Sequence, residues 1–302
     1  MGDLSATESA LYDRQIRLWG LSSQSAIKEA TTLVVGLSPV TLEICKNLIL
    51  AGSNITLLTL TESMDFNNFL TSLEGVESQG SPYERTAEAL KGLNPLAQVN
   101  IVHSYPSEEI QVAIVSLNQV EIAKTIDMIP SRNNGGPILI AIAESESGIW
   151  SYTDCNKHVV EGVNKGEPVR LPAIVHTPTL LEILNNFKAS EKLNKKEPVI
   201  GQEALLWLQN KNHGNLKSTG FHPAPAFAPL AAIAGGLLAQ ECIKFFTKKD
   251  IPLLNSISVD AEACGAFVKA LGGARTEFLG KIDDDVKIVS GGLVVSNEID
   301  LD

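Results

Sequence analysis

The chain is short of positive charge, of cysteine and of long apolar runs, and each shortage removes a class of function. Its 302 residues hold 24 Lys+Arg against 35 Asp+Glu, a formal balance of −11. An acidic chain is a poor match for a polyanion, so neither nucleic acid nor an anionic membrane is expected as a main partner. The four cysteines are Cys45, Cys155, Cys242 and Cys264, and no two form a C-x-x-C pair. That usage fits free thiols in a reducing compartment better than a disulfide or zinc framework. No run of about 18 apolar residues occurs, so no spanning helix is expected. The opening stretch MGDLSATESALYDRQ lacks the basic flank and apolar centre of a secretory signal. Its MG start is a poor fit to a myristoylation pattern, since Asp3 follows and basic residues are missing. A soluble intracellular protein is expected.

What is present is an α/β pattern. Thr31-Thr32-Leu33-Val34-Val35-Gly36 is a β-branched apolar run that stops at glycine. A helical stretch over 41–51 follows, with Leu42, Cys45, Leu48 and Ile49 as its apolar residues, and then a second run, Ile55-Thr56-Leu57-Leu58-Thr59-Leu60. Strand, turn, helix and strand within about 30 residues make a right-handed βαβ unit, the opening of a doubly wound sheet. A helix over 83–92 ends at Gly92 ahead of Asn94-Pro95. Strands over 98–103, 112–117 and 137–143, with a helix over 120–129, continue the sheet.

From about 144 to 223 the pattern loosens, with polar stretches at 185–197 and 210–220 around a short helix over 202–209. This region reads as an insertion outside the sheet. The helix over 226–249 is apolar or small on most faces, and Gly235-Gly236 permits a close backbone approach. Lys244, Lys248 and Lys249 suit the negative pole of its dipole. Strands over 254–259 and 265–271 close the fold as a hairpin. One domain over 1–272 is expected, followed by a flexible acidic tail over 273–302. Residues 277–302 carry seven acids and two lysines.

A βαβ opening places phosphate at a helix N-terminus over a G-x-G-x-x-G turn. Here the turn is Gly36-Leu37-Ser38-Pro39-Val40-Thr41, which keeps only the first glycine, and Pro39 removes an N–H donor. The ribose-binding acid at the end of the second strand is missing too, with no carboxylate before Glu62. Two failures in one site predict that this chain binds no nucleotide, and that its fold serves structure and partner contact. The same failures weigh against a dinucleotide-dependent enzyme.

Ahead of the sheet lies Leu11-Tyr12-Asp13-Arg14-Gln15-Ile16-Arg17-Leu18-Trp19-Gly20, which reads as an amphipathic helical arm. Leu11, Ile16 and Trp19 are its packing residues, and Arg14 and Arg17 its polar ones. The string resembles the N-terminal motif of the activating enzymes for ubiquitin and ubiquitin-like modifiers. The resemblance continues through Leu33 to Gly36, the EICKNLILAG helix, Gly92-Leu93-Asn94-Pro95 and the block over 226–249. It implies a ThiF-type adenylation domain. In that family two such folds pair, and in the eukaryotic enzymes only one keeps the ATP site. The positions matching its ATP-binding residues are here Ser38 and Pro39, Thr59 and Thr61, roughly Tyr83 and roughly Leu117, and all depart from the pattern. The resemblance therefore implies the inactive half, with no cofactor of its own and with ATP and Mg²⁺ held by the partner.

Length favours the small, regulatory subunit of heterodimeric SUMO-activating enzymes over the much longer regulatory subunit for neddylation. The alternatives are a neddylation-type regulatory half or a non-catalytic adaptor. The implied partner is the large catalytic subunit, which forms the thioester, and the implied location is the nucleus, with cytoplasm. In that family the first arginine of the motif reaches across the dimer to the ATP phosphates, and Arg14 holds that position. In the tail, Val286-Lys287-Ile288-Val289 after three aspartates resembles a SUMO-interacting motif.

Overall fold

A computed structural model describes residues 4–59, 80–130, 136–155, 158, 160–164, 167–171, 173–187, 199–213, 219–253, 255–278, 289–290 and 293–294. Three short helices come first: α1 (Ala6–Leu11), α2 (Asp13–Trp19) and α3 (Leu21–Glu29). The βαβ unit is β1 (Thr31–Val35), α4 (Pro39–Ala51) and β2 (Asn54–Leu58). Next come α5 (Pro82–Leu93), β3 (Val99–Val102), β4 (Val112–Ser116), α6 (Ile122–Met128) and β5 (Ile138–Glu144). Then follow β6 (Gly148–Asp154), β7 (Val160–Asn164), β8 (Glu167–Leu171), β9 (Ala173–His176), α7 (Leu180–Asn186) and α8 (Val199–Asn212). The last elements are α9 (Ala228–Thr247), β10 (Ser256–Asp260), β11 (Gly265–Lys269), β12 (Arg275–Phe278), β13 (Val289–Ser290) and β14 (Leu293–Val294).

Eight strands form one sheet in the order β11-β10-β6-β5-β4-β1-β2-β3. Strands β1 to β5 are parallel, while β6, β10 and β11 add on antiparallel, one after another. The chain winds outward from β1 to β3 and then returns to lay β4 on the other side of β1. Such a reversal opens a crevice at the carboxyl ends of the two strands, where ligands of this architecture sit. Successive residues of β5 serve opposite faces. Ile138, Ile140 and Ile142 join the core under α4, α5 and α9, and Leu139, Ala141 and Ala143 join the core with α7 and α8. A sheet covered on both sides needs apolar residues at every position, which is why its strands read as unbroken runs.

The sheet takes in more of the chain than the sequence suggests. Gly148–Asp154, within the expected insertion, is a fully buried strand paired with β5 and β10. Its Ser151 and Thr153 break the apolar run, which disguised it. Helix α8 is no detached subdomain either: Ile200, Ala204, Leu205 and Leu208 share a core with Trp150 and Tyr152. The body also runs past 272, because Arg275–Phe278 pairs antiparallel with β9. Beyond it, Val289-Ser290 pairs with Leu293-Val294, while Asp283 to Ile288 lie outside the described residues.

Helix α9 corrects one further expectation. It is long and apolar enough to cross a bilayer by length and composition, with a mean hydropathy of 1.3. Its apolarity has another cause: it packs against α4 and α3, burying Leu230, Ala234, Leu238 and Phe245 among others. The glycine pair, expected to act together, divides its labour. A Cβ on Gly235 would stand 2.4 Å from Glu43 Cβ, so this glycine lets α9 press onto α4. Gly236 faces open space instead.

Candidate functional site

The crevice between the carboxyl ends of β1 and β4 is occupied by the chain itself. Gly36 closes β1 at φ +83°, and a Cβ there would stand 3.2 Å from Ser116 Cβ at the end of β4. Ser38 caps α4: its Oγ accepts from the Thr41 N–H at 3.3 Å, and the Ser38 N–H donates to Thr41 Oγ1 at 2.8 Å. The Ser38 hydroxyl donates to a carboxylate oxygen of Glu144, at the end of β5. Glu144 is fully buried. Its carboxyl group also receives the N–H of Ala226, at 3.4 Å, and that of Val40. The first turn of α4 therefore has no donor left for a phosphate. Pro39 has none, Val40 is taken by Glu144, Thr41 by Ser38 Oγ, and Leu42 by the Ser38 carbonyl at 3.0 Å. Burial pushes the Glu144 carboxyl up to about 7, against the three hydrogen bonds that favour its ionised form.

The loop after β4 closes the crevice further. The Asn118 side chain donates to the Glu144 carbonyl at 2.7 Å and accepts from the Glu144 N–H at 2.9 Å. Gln119 Nε2 donates to the Leu37 carbonyl. From α8, Lys211 Nζ donates to the carbonyls of Leu117 at 2.5 Å and Asn118 at 3.2 Å. The same ammonium lies 5.0 Å from the centre of the Trp207 ring, and burial lowers its pKa to about 8. The other positions matched to ATP-binding residues are equally committed. Leu117 and Tyr83 are buried, and Thr59 Oγ1 is bonded to the Val102 carbonyl at 3.2 Å and to His103 Nδ1 at 2.7 Å. Thr61 and Glu62 lie outside the described residues.

The N-terminal arm is two helices rather than one, broken at Tyr12. Its anchor is Tyr12, buried, whereas Leu11, expected to pack, is exposed. The arm docks on the last turn of α4, whose final carbonyls have no partner further along the helix, although the Gly52 N–H already donates to the Ile49 carbonyl at 3.0 Å. Three successive carbonyls are met by side chains: Ile49 by Asn94 at 2.7 Å, Leu50 by Gln15 at 3.4 Å and Ala51 by Gln24 at 2.9 Å. Trp19 Nε1 donates to Gln24 Oε1 at 3.0 Å, Lys249 donates to the Trp19 carbonyl, and Arg17 pairs with Asp13 at 2.9 Å. Gly20 ends α2 at φ +87°. Five motif residues, Leu11, Asp13, Arg14, Arg17 and Leu18, are exposed. Leu18 is 77% exposed, and Arg14 is exposed and makes no ion pair among the described residues. Tyr12, Gln15 and Trp19 thus hold the arm while Arg14 stays exposed.

No protein-family model matches the chain. Relatives are found along nearly its whole length. SUMO-activating enzyme subunit 1A of Arabidopsis thaliana is 25% identical over 306 residues, covering 86% of this chain and 94% of that protein. SUMO-activating enzyme subunit 1 of Homo sapiens is 25% identical over 344 residues, covering 90% and 97%. Among solved structures, the microcin C7 biosynthetic enzyme MccB in complex with N-formylated MccA superposes with a TM-score of 0.54 at 15% identity, covering 88% of this chain and 73% of that one. PaaA gives 0.52 at 14%, covering 95% and 76%. These likenesses establish the ThiF-type adenylation fold. Along about nine-tenths of its length the chain is similar in sequence to SUMO-activating enzyme subunit 1 of other organisms, and it shares the fold of MccB.

Proposed function

We propose that this chain is the regulatory half of a heterodimeric SUMO-activating enzyme, without catalysis of its own. The large catalytic subunit holds ATP and Mg²⁺, adenylates the C-terminus of SUMO and then forms the thioester on its own cysteine. This chain lends Arg14 in trans to the phosphates of that ATP. The observation that carries the reading is the contrast between two sites. The chain's own phosphate position is filled by the Glu144 carboxylate, whereas Arg14 stands exposed on an arm fastened to the body. A planar guanidinium beside phosphate oxygens stabilises charge as it shifts toward the leaving pyrophosphate.

The outer face of α9 supports pairing with another protein. Ile233 is 57% exposed and lies beside Ala232 and the open Gly236, with Phe227, 64% exposed, just ahead of the helix. A nuclear and cytoplasmic location goes with this reading. So does a transient contact of SUMO with the tail at Val286 to Val289. Deleting residues 279–302 should weaken SUMO binding by the assembled enzyme several-fold, and an unchanged affinity would remove the tail from the account. The isolated chain should show no heat of ATP binding in titration calorimetry. Saturable micromolar binding would contradict the division of labour between the two halves.

A further inference from the structure

We infer that Tyr12 and Asn94 form a lock that positions Arg14, an inference that rests on the role proposed for Arg14 above. Tyr12 sits at the junction of two helices, closing α1 and opening α2 with φ −96° and ψ 14°. Arg14 is two residues further on, in the first turn of α2. The direction in which that turn leaves the body is therefore set by where Tyr12 is pinned.

The pin is specific. Asn94 Nδ2 donates to the Tyr12 hydroxyl at 2.8 Å and to the Ile49 carbonyl at 2.7 Å, while Asn94 Oδ1 accepts the Leu96 N–H at 3.1 Å. The Leu96 N–H needs an oxygen, and the Ile49 carbonyl, which also takes the Gly52 N–H at 3.0 Å, can only accept, so the amide has only one workable orientation. Both side chains are 3% exposed. The ring lies over Gly52, where α4 ends at φ +98°, and a Cβ there would stand 2.8 Å from the Tyr12 hydroxyl. A glycine is needed at that place twice over, for the left-handed turn and for the ring. Two short sequence blocks 82 residues apart, Tyr12-Asp13-Arg14-Gln15 and Gly92-Leu93-Asn94-Pro95, thus meet in one buried hydrogen bond.

This lock goes beyond ordinary packing because of what it holds. A long side chain acting on a transition state loses much of its effect when its base moves by about 1 Å. Gln15, beside Arg14, and Trp19 add attachments along α2, while Tyr12 pins the residue from which the turn carrying Arg14 starts.

The test uses the assembled heterodimer and ATP–pyrophosphate exchange with SUMO. Tyr12→Phe keeps the ring and removes the hydroxyl. It should lower kcat about 5- to 10-fold with KM for ATP and SUMO unchanged and the complex intact by size exclusion. Asn94→Ser, which removes the bond from the other side, should do the same. On an Arg14→Ala background Tyr12→Phe should change nothing, because there is no guanidinium left to misplace. An equal loss on both backgrounds, or no loss on the wild-type one, overturns the lock. If Arg14→Ala is itself silent, the role of Arg14 falls first; if Arg14→Ala is slow and Tyr12→Phe silent, only the lock falls.

Discussion

Arg14→Ala in the assembled heterodimer should slow ATP–pyrophosphate exchange roughly 100- to 1,000-fold, the cost of removing one well-placed donor from a developing charge. The loss should fall on kcat, since a group that acts on shifting phosphate charge contributes little to holding ATP in the ground state. Assembly and folding should be unaffected, because Arg14 is exposed and pairs with no described residue of its own chain. Arg14→Lys should recover part of the rate, since it keeps the charge but not the planar fork. Arg17→Ala serves as the control. It breaks only the exposed ion pair with Asp13, and exchange should stay within about two-fold of wild type, as surface pairs of this kind contribute little. If Arg14→Ala and Arg17→Ala behave alike, Arg14 has no special role.

The second large effect concerns Glu144. Its carboxyl group is raised from 4.5 to about 7 by burial. A carboxyl whose folded pKa lies above its unfolded value stabilises most when protonated. Its contribution is complete below about 4.5 and is lost as pH rises through about 7. The full swing is about 3 kcal/mol, at 1.4 kcal/mol per pKa unit. Glu144→Gln cannot ionise, so the difference in unfolding free energy between variant and wild type should be flat below about pH 4. It should then move in the variant's favour by up to about 3 kcal/mol at pH 8. Denaturant titrations of both proteins across that range measure it directly. A difference that does not change with pH would mean that folding leaves the Glu144 carboxyl unshifted, and that the crevice is wetter than its closed geometry implies.

Most of the fold was legible because it depends on local pattern. The βαβ unit from β1 to β2, the helix α5 and the closing hairpin of β10 and β11 appear where apolar runs and glycine stops place them. Strand β6 was not legible, because its Ser151 and Thr153 are satisfied inside a double-sided sheet that only the assembled fold supplies. The candidate site divides in the same way. The loss of the phosphate turn could be read from Ser38 and Pro39. The group that fills the place could not, since Glu144 lies 106 residues further on and meets Ser38 only across the sheet. A signal did exist: Glu144 is a single acid ending the apolar string Ile138-Leu139-Ile140-Ala141-Ile142-Ala143, at the strand end that borders the crevice. Tyr12 was passed over within its motif because helical periodicity favoured Leu11, and the break between α1 and α2 reverses which of the two is buried.

The central question is whether this chain completes the ATP site of another protein. Pyrophosphate exchange dependent on ATP and SUMO, measured for the large SUMO-activating subunit alone and again with this chain added in equimolar amount, tests that most directly. Full exchange activity should appear only in the mixture, saturating at one chain per large subunit. It would be contradicted if the large subunit were equally active alone, or if the two did not associate.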